Sequence, residues 1–294
     1  MITVVIVSFN SENEIDACLS SLLRSKGVSL EVIVVDNAST DSTCKIVSKY
    51  LGVKLLQSKE NLGFPGGNNV GLRNGTGDYC LLLNPDTIVP ENSIKRLLAY
   101  AQGNPGYGVI GPQLVGSCGE AAPDLRPIGP GLIFSRYTNR VLKQNSVEVV
   151  SGAAMFFSRK VYDMVGGLDE NLFWCEDHDF CYRVRRAGFS IAIVRDVSVV
   201  HLGQRSGNRN KAVMIEKSYT SKIGFLAKYR SAFYVKCVVL VFLFELLLRI
   251  VKWGVKWAQQ GSRAESKERV RIYLHVCSKL LGIILQYPYR TTMV

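Results

Sequence analysis

The chain has 294 residues, 47% hydrophobic and 20% charged, which excludes a disordered or fibrous protein and fits one large core or a core plus an appendage. Its formal net charge is +12, and that charge is unevenly placed. Residues 203–294 carry 17 Lys and Arg against 4 Asp and Glu, whereas residues 1–202 carry 19 basic and 20 acidic residues. The cationic part indicates an anionic lipid or nucleic-acid partner, although a solvated basic surface would show the same charge.

The eight cysteines include no CxxC pair, and several lie inside apolar segments, so reduced packing cysteines are predicted. Cys175 is the one candidate for a thiol in a pocket. The chain opens on Ile2–Val7 without a basic region or a cleavage site before it. This start predicts a strand rather than a signal peptide, and therefore a cytoplasmic front domain.

Strand and helix patterns alternate along the first hundred residues. Apolar runs predict four buried strands, and amphipathic segments between and after them predict helices. The alternation implies an α/β fold with a Rossmann-like, mostly parallel sheet that helices cover on both faces. The predicted strands are Ile2–Val7, Glu31–Val35, Val53–Leu56 and Tyr79–Leu83, and the predicted helices are Glu12–Arg24, Ser42–Tyr50 and Ile94–Ala101.

The middle of the chain is harder to assign, because residues 103–147 are rich in Gly and Pro. Only Val109-Ile110 is predicted as a short strand there. Further on, the pattern predicts a strand, a helical turn, a helix and two extended segments that end at His201. These are Glu148–Phe157, Lys160–Val165, Glu176–Ala187, Ile191–Val194 and Val197–Val200.

Polar side chains follow the first two strands, where the carboxyl ends of parallel strands bind ligands in open α/β sheets. They are Ser8 and Asn10 after the first strand, and Asp36 and Asn37 after the second. A carboxylate repels phosphate, so Asp36 is expected to bind the ribose or the base of a nucleotide. In the alternative interpretation, Asp36 and Asp41 only cap the next helix.

A glycine-rich segment, Asn61–Asn69, is predicted as a loop running into a short helix. Gly66 and Gly67 would let a ligand approach the backbone closely, and Asn68 and Asn69 would open the helix. The segment is neither a dinucleotide fingerprint nor a phosphate loop with a lysine. A plain turn remains the alternative.

The fourth strand ends in Asn84-Pro85-Asp86. Mg²⁺ and Mn²⁺ bind through one or two carboxylates together with substrate phosphates, so Asp86 is the candidate metal ligand and Asn84 adds a neutral oxygen. His201 would complete the site through a neutral imidazole. The alternatives are a simple Asn-Pro-Asp turn and a structural histidine.

Another acidic pair, Glu176 and Asp177, opens a predicted helix whose N-terminal dipole favours ionised carboxylates. An ionised Asp177 is the candidate general base, and Glu176 and Asp179 carry further carboxyl groups beside it. Trp174 offers a flat face for a sugar ring, and Arg205 is a candidate contact for diphosphate oxygens. Acidic capping of the helix is the alternative.

The segment Ala232–Trp257 is apolar but carries five charges, and its uncharged stretch Cys237–Phe244 is far shorter than the roughly 20 residues that span a bilayer. Glu245 inside a span would be costly. An amphipathic helix in the membrane interface is therefore favoured, with Trp253 and Trp257 as anchors and basic side chains on anionic headgroups. A true span and a core or dimer helix stay open. Nucleic acid is disfavoured, because basic and large apolar residues are interleaved.

Taken in order, these motifs resemble the family 2 glycosyltransferases, particularly the bacterial rhamnosyltransferase-like members, over about residues 1–230. Each motif is weak alone, but the ordered set is specific. The motifs are Val7–Asn10, Val35–Asp41, Asn61–Asn69, Leu83–Asp86, Gly166–Glu170, Glu176-Asp177 and His201.

The resemblance implies a GT-A fold, a nucleotide-diphosphate sugar donor, a divalent cation (Mg²⁺ or Mn²⁺) and inversion at the anomeric carbon. Asp36 would bind the nucleoside, Asp86 the metal, Asp177 would be the base, and His201 a further metal or diphosphate contact. The family's acidic motif often has two carboxylates, and here Asn84 replaces the first. The catalytic domain would be residues 1–210, and residues 211–294 a basic, apolar helical region for membrane attachment or oligomerisation.

From this we expect rhamnose transfer from dTDP-rhamnose to a lipid-linked glycan at the cytoplasmic face of the plasma membrane, by a peripheral or monotopic enzyme of cell-surface polysaccharide synthesis such as O-antigen. A UDP-hexose donor is an alternative, as is a non-catalytic basic protein that binds membranes or nucleic acid. An NAD-dependent oxidoreductase is disfavoured, since no dinucleotide fingerprint follows the first strand.

Overall fold

The computed structural model describes residues 1–123, 146–203, 211–259 and 263–286, which divide into two compact units at about residue 203. Within these ranges, strands and helices alternate in the first unit, and the second unit contains three long helices. The first unit contains β1 (Ile2–Ser8), α1 (Ile15–Leu23), β2 (Leu30–Asp36), α2 (Thr43–Val47), β3 (Val53–Gln57), α3 (Gly63–Asn74), β4 (Tyr79–Leu83), β5 (Thr87–Ile88), α4 (Ser93–Gly103), β6 (Tyr107–Val115), β7 (Ala154–Ser158), α5 (Arg159–Val165), α6 (Glu176–Arg186) and β8 (Ser190–His201). The second contains α7 (Lys211–Tyr229), α8 (Ala232–Gln259) and α9 (Arg263–Gln286).

The strands of the first unit form one sheet in the order β3-β2-β1-β4-β7-β6-β8-β5. Neighbouring strands are parallel except where β7 lies between β4 and β6 and where β5 pairs with β8. Alternate residues of β1 face opposite sides, so Val4 packs with α1 and α4 while Val5 packs with α3 and α6. The predicted mostly parallel sheet with helices on both faces is confirmed.

The directions of the strands bring one set of ends to a single edge, which we call the carboxyl edge. Strands β1, β2, β4 and β8 all run toward it, and β7 begins there, with Ala154 opposite Leu83. The end of α6 lies at the start of β6, where a Cβ on Gly108 would be 2.5 Å from Val184 Cγ1, so the N-terminus of α6 points toward the carboxyl edge. This is the edge where parallel α/β sheets bind ligands.

Most predicted elements occur within a few residues of the expected bounds, with two differences around β7 and β8. The segment Glu148–Phe157 is a strand only in its second half, Ala154–Ser158. The two predicted extended segments before His201 are one strand, Ser190–His201, whose register with β6 shifts between Pro112 and Gln113. That irregularity breaks the alternation of burial, which is why the pattern resembled two strands.

The predicted helix is present, but it begins earlier than expected: α3 starts at Gly63 and contains both glycines, so the prediction of a loop is wrong from Gly63 to Asn69. Asn68 and Asn69 lie buried inside the helix and do not open it. The glycines have a packing role here: a Cβ on Gly67 would lie 2.7 Å from Val7 Cγ1. Close contact between helix and sheet therefore outweighs the low helix propensity of glycine.

Gly71 shows the same contact more strongly, since a Cβ there would lie 2.3 Å from Val5 Cγ1. We expect Gly71→Ala to lower the free energy of unfolding by about 1–3 kcal/mol through overpacking. Gly103→Ala, where nothing lies within 4 Å, is the matched control and should be neutral or slightly stabilising. Urea unfolding measures the free energy of unfolding of both variants. In the double variant, Val5→Ala should restore part of the stability that Gly71→Ala loses. An equal effect of both substitutions would contradict this packing account.

The second unit is a three-helix arrangement with its own apolar core. Tyr219 of α7 meets Phe242 of α8 edge-on at 5.2 Å between ring centroids, and His275 Nε2 of α9 lies 3.0 Å from Glu216 Oε2 of α7. The core side chains are Tyr219, Ile223 and Leu226, then Val235, Val239, Phe242 and Leu246, then Ile272, Val276 and Leu280. No helix in the described part of the chain is long and apolar enough to cross a membrane.

Candidate active site

Asp36 at the end of β2 lies beside Ser8 at the end of β1, as the parallel register requires. Ser8 Oγ donates to Asp36 Oδ1 at 3.3 Å, and the Ser39 backbone N–H donates to Oδ2 at 3.0 Å. Asn10 Oδ1 accepts from the Thr40 N–H at 2.8 Å. These contacts fold the loop after β2 over the end of β1, and they leave Asp36 only 2% exposed.

Helix capping, the alternative role for this acidic pair, applies to Asp41 and not to Asp36. Asp41 Oδ1 accepts from the Thr43 N–H at 3.0 Å, and Oδ2 accepts from the Glu12 N–H at 3.1 Å. Burial acts to raise the pKa of Asp41, but hydrogen bonds from Thr43 and Glu12 lower it overall. Asp41 therefore holds the start of α2, and Asp36 remains a candidate for ligand binding.

Asn37 connects this loop to α3 through a hydrogen bond from Nδ2 to the Gly63 carbonyl at 2.9 Å. Its Oδ1 is buried and has no hydrogen-bond partner among the described residues. A buried acceptor without a partner is uncommon in folded proteins and calls for an explanation. Asn37 lies at the carboxyl edge, where a ligand N–H could satisfy it.

Asp86 and His201 come together although 114 residues separate them in the sequence. Strand β5 pairs with β8 so that Thr87 lies opposite His201, and the Leu202 N–H donates to the Asp86 carbonyl at 3.0 Å. His201 Nε2 is then 3.3 Å from Asp86 Oδ1 and 3.4 Å from Asn84 Nδ2. Both side chains are partly exposed, at 15% for Asp86 and 26% for His201.

These donors fit a divalent cation that arrives with its substrate. No cluster of three or more His, Cys, Asp or Glu side chains suited to a metal occurs within the described ranges. One carboxylate oxygen and one imidazole nitrogen fit Mg²⁺ or Mn²⁺ when diphosphate oxygens and waters supply the other ligands. They do not form a closed cage for a permanent metal.

Asp177 lies in the first turn of α6, at the carboxyl edge. Its Oδ1 accepts a hydrogen bond from the His178 backbone N–H at 2.8 Å. The same oxygen also lies 2.7 Å from His178 Nδ1. Both side chains are mostly buried, with 14% of Asp177 and 12% of His178 exposed. The carboxylate of Asp177 is thus held in one orientation at the N-terminus of a helix.

Sequence reasoning missed His178. The available signal was its position directly after the proposed base, in a chain with only three histidines. Asp179 also differs from expectation: it is fully buried, and Arg183 Nε donates to its Oδ2 at 2.7 Å. Arg183 also donates to the Gly167 carbonyl at 2.7 Å, so this ion pair fixes the loop before α6.

Glu176 is buried beside Asp177, and its Oε2 has no hydrogen-bond partner among the residues described. Burial and, secondly, the charge of Asp177 raise the pKa of Glu176 to about 8. This carboxyl group is therefore largely protonated at neutral pH, and it can donate a hydrogen bond where Asp177 accepts one.

The raised pKa of Glu176 predicts a pH-dependent stability. The unfolded chain releases this proton near the ordinary value of 4.5, and the folded chain near 8, so the contribution to folding is full below pH 4.5 and declines toward pH 8. Glu176→Gln stays neutral, so we expect Tm to rise by about 3–6 °C at pH 8 and to change little at pH 5. The exposed Glu120→Gln is the control. Equal shifts at both pH values would refute the burial argument.

Three further residues singled out in the sequence have different outcomes. Trp174 is 42% exposed and stacks with Phe173, with 6.2 Å between ring centroids, so an aromatic surface precedes α6 as expected. Cys175 is only 2% exposed, so the prediction of a thiol lining an open pocket is wrong. Arg205 lies outside the described residues.

A cavity of about 360 Å³ lies elsewhere, at the opposite edge of the sheet near the starts of β4 and β6. It contains none of the predicted site residues. Its wall includes Tyr79, Tyr107, Lys160 and Phe189. Because the predicted residues gather at the carboxyl edge, we place the candidate site there, on chemistry rather than on cavity size.

Comparison with protein families gives a match of residues 3–166 to the model of Glycosyl transferase family 2. A low-salt glycan biosynthesis hexosyltransferase of Haloferax volcanii is 28% identical over 211 residues, which are 68% of this chain and 66% of that protein. The N-acetylglucosaminyl-diphospho-decaprenol L-rhamnosyltransferase of Mycobacterium tuberculosis is 26% identical over 265 residues, 80% of this chain and 86% of that protein.

Solved structures with the same fold include a mannosyltransferase of Pyrobaculum calidifontis in complex with GDP-Man and Mn²⁺. It is 16% identical, with a TM-score of 0.61 over 97% of this chain and 87% of that chain. The Staphylococcus aureus TarS fragment 1–349 with UDP-GlcNAc is 18% identical, with a TM-score of 0.58 over 94% of this chain and 72% of that chain. Identities this low show the fold alone, which is of the GT-A type.

Proposed function

The chain belongs to glycosyl transferase family 2, and from that premise we propose that it transfers a sugar, with inversion, from a nucleotide-diphosphate donor to a hydroxyl of a lipid-linked glycan. The carrying observation is the contact of Asp86 with His201 at the edge of the sheet where α6 begins with Asp177. A ligand there would meet cation ligands and a carboxylate base from different elements.

The nucleoside would bind at the ends of β1 and β2. Ser8, Asn10 and Asp36 shape this part of the edge, and the buried Asn37 Oδ1 would accept a hydrogen bond from a base N–H. Gly66 lies in the first turn of α3, where the partial positive charge of the helix N-terminus suits an anion. Gly67 in the next turn keeps that helix close to the sheet.

A divalent cation would be held by Asp86 and His201, with Asn84 beside them. When bound, Mg²⁺ or Mn²⁺ neutralises the charge of a departing diphosphate and so stabilises it as a leaving group. The two-donor set supports an ion that binds together with the donor. Arg205 would add charge-assisted hydrogen bonds to the diphosphate.

Asp177 would be the general base. With Oδ1 engaged by His178, Oδ2 is the oxygen that takes the proton from the acceptor hydroxyl. The hydroxyl oxygen attacks the anomeric carbon from the face opposite the nucleotide diphosphate. The bond between the anomeric carbon and the diphosphate oxygen breaks, the nucleotide diphosphate departs, and the configuration inverts. An aspartate suffices because the proton leaves late, after the leaving group has largely departed. Glu176 and Trp174 would contact the sugar.

For the acceptor we propose a lipid-linked saccharide at the cytoplasmic face of the membrane, with residues 1–210 as the catalytic part. The name of the mycobacterial relative specifies a decaprenol-linked substrate for that protein, and the basic residues 211–294 here suit an anionic surface. Rhamnose from dTDP-rhamnose is the first donor to test. A UDP-hexose is the second, because the archaeal relative is a hexosyltransferase.

Thermal unfolding with candidate donors tests this function. A donor present at about 100 times its Kd should stabilise the folded chain by about 2.7 kcal/mol, which raises Tm by several degrees. We expect dTDP-rhamnose or a UDP-sugar to do so with Mg²⁺ or Mn²⁺ and much less with EDTA. Stabilisation by none of these donors would contradict the proposal. Equal stabilisation with EDTA would contradict the proposed dependence of donor binding on a divalent cation.

A further inference from the structure

Helix α8 has an apolar face that packs inside the second unit. Its inward side chains are at most 3% exposed and meet α7 and α9. They are Val235, Val238, Val239, Phe242 and Leu246. This face accounts for the stability of the three-helix unit, and an ordinary surface helix would be polar on its other side.

The other side of α8 is also apolar, and it is exposed. At about 100° per residue, seven large apolar side chains lie within about 50° of one line, opposite the packed face. We call them the outer stripe: Phe233, Leu240, Phe244, Leu247, Leu248, Val251 and Val255, which are between 47% and 77% exposed. The stripe extends over 23 residues, and its ends are about 33 Å apart along the helix. Contiguous apolar surface of this size marks an interaction site.

Basic side chains border the outer stripe, and the acidic charge on α8 is compensated. Lys252 is exposed on one side of it, and Lys236 lies on the other side. Arg249 Nη2 donates to Glu245 Oε1 at 2.6 Å. An apolar stripe with a basic border is the pattern of a helix that lies in a membrane interface.

The two tryptophans differ in their roles. The Trp253 ring is covered by Arg269, 4.5 Å from its centroid, and by Lys256 at 4.8 Å. Trp257 is 41% exposed and lies near the end of the helix. The exposed apolar surface of α8 is therefore formed by the outer stripe rather than by Trp253.

We propose that the outer stripe of α8 is the surface by which this chain lies on an anionic lipid bilayer, with the helix parallel to the membrane plane. The inference deepens the proposed function, on which it rests for the lipid-linked acceptor. The residues 211–259 and 263–286 carry 14 Lys and Arg against 4 Glu. This charge attracts anionic headgroups, whereas it repels a second copy of the same helices.

Cosedimentation of the full chain with vesicles tests this surface. We expect strong binding to phosphatidylglycerol–phosphatidylcholine vesicles and at least tenfold weaker binding to phosphatidylcholine alone. The double variant Phe244→Asp with Leu247→Asp should bind at least tenfold more weakly than the wild type. Leu274→Asp with Leu281→Asp on α9 adds the same charge at similarly exposed positions, 53% and 51%, and should change binding less than twofold.

Circular dichroism and donor-induced thermal stabilisation show whether the variants fold. Equal vesicle binding by the outer-stripe variant and the α9 control would overturn the proposal, and so would equal binding to neutral and anionic vesicles. Light scattering that shows a dimer of the wild type and a monomer of the outer-stripe variant would assign the stripe to a second copy instead. Vesicle binding is measured without donor, so its failure leaves glycosyl transfer untouched, and a failed donor screen leaves the outer stripe untouched.

Discussion

Asp177→Asn is expected to lower kcat for glycosyl transfer by about 10²–10⁴-fold, the usual contribution of a general base. Asparagine keeps the shape of the side chain and can still accept the hydrogen bond from the His178 backbone N–H, but it cannot take a proton. The donor should bind the variant with an unchanged Kd, because Asp177 acts on the acceptor hydroxyl. Transfer assays and a donor titration by thermal unfolding measure the two effects.

The matched control for this substitution is Asp196→Asn, since Asp196 lies on the surface of β8 with 71% of its side chain exposed. That variant should retain wild-type kcat. Near-normal turnover of Asp177→Asn would end the assignment of Asp177 as the base. A loss of donor binding together with turnover would instead move Asp177 to the donor site.

Asp86→Asn is expected to abolish the difference in donor binding between Mn²⁺ and EDTA, and to lower kcat/KM by about 10²-fold or more, since a catalytic metal contributes several kcal/mol of charge stabilisation. The substitution removes the only carboxylate beside His201 Nε2 among the described residues, 3.3 Å away. His201→Ala should weaken the metal dependence less, because the carboxylate charge remains.

Asp163→Asn on the exposed side of α5 controls for the change of charge. Retention of a full manganese effect in Asp86→Asn would contradict the metal site at the ends of β4 and β8. Loss of the manganese effect in the Asp163 variant as well would show that the effect depends on overall charge and not on coordination.

The sheet, and the grouping of the polar residues that follow its strands, could be predicted because the periodicity and length of apolar runs determine both. Val4 to Val7 are apolar on both faces, as in a strand covered by helices on two sides, and the carboxyl ends of parallel strands must share an edge. Ser8 and Asp36 are neighbours for that reason alone. The contact of Asp86 with His201 could not be derived from periodicity, because β5 is only two residues long and its pairing with β8 leaves no pattern in the sequence.

Helix α3 shows what local patterns cannot predict. Gly66 and Gly67 suggest a loop because glycine weakens helices, yet both lie in the helix, where the missing Cβ of Gly67 and of Gly71 lets the helix lie against Val7 and Val5. The two-sided character of α8 was hidden for a related reason. Its apolar residues appear at helical spacing, but only packing decides that Phe242 faces inward and Phe244 outward.

The most direct test of the account is a crystal structure of the chain with an intact nucleotide-sugar donor and Mn²⁺. The account predicts Mn²⁺ on Asp86 and His201, with the diphosphate beside it. It also predicts Asp177 on the face of the sugar opposite the diphosphate, within about 5 Å of the anomeric carbon, which leaves room for one hydroxyl oxygen at hydrogen-bonding distance. A donor bound away from the carboxyl edge, or an Asp177 separated from the sugar by packed core, would contradict it.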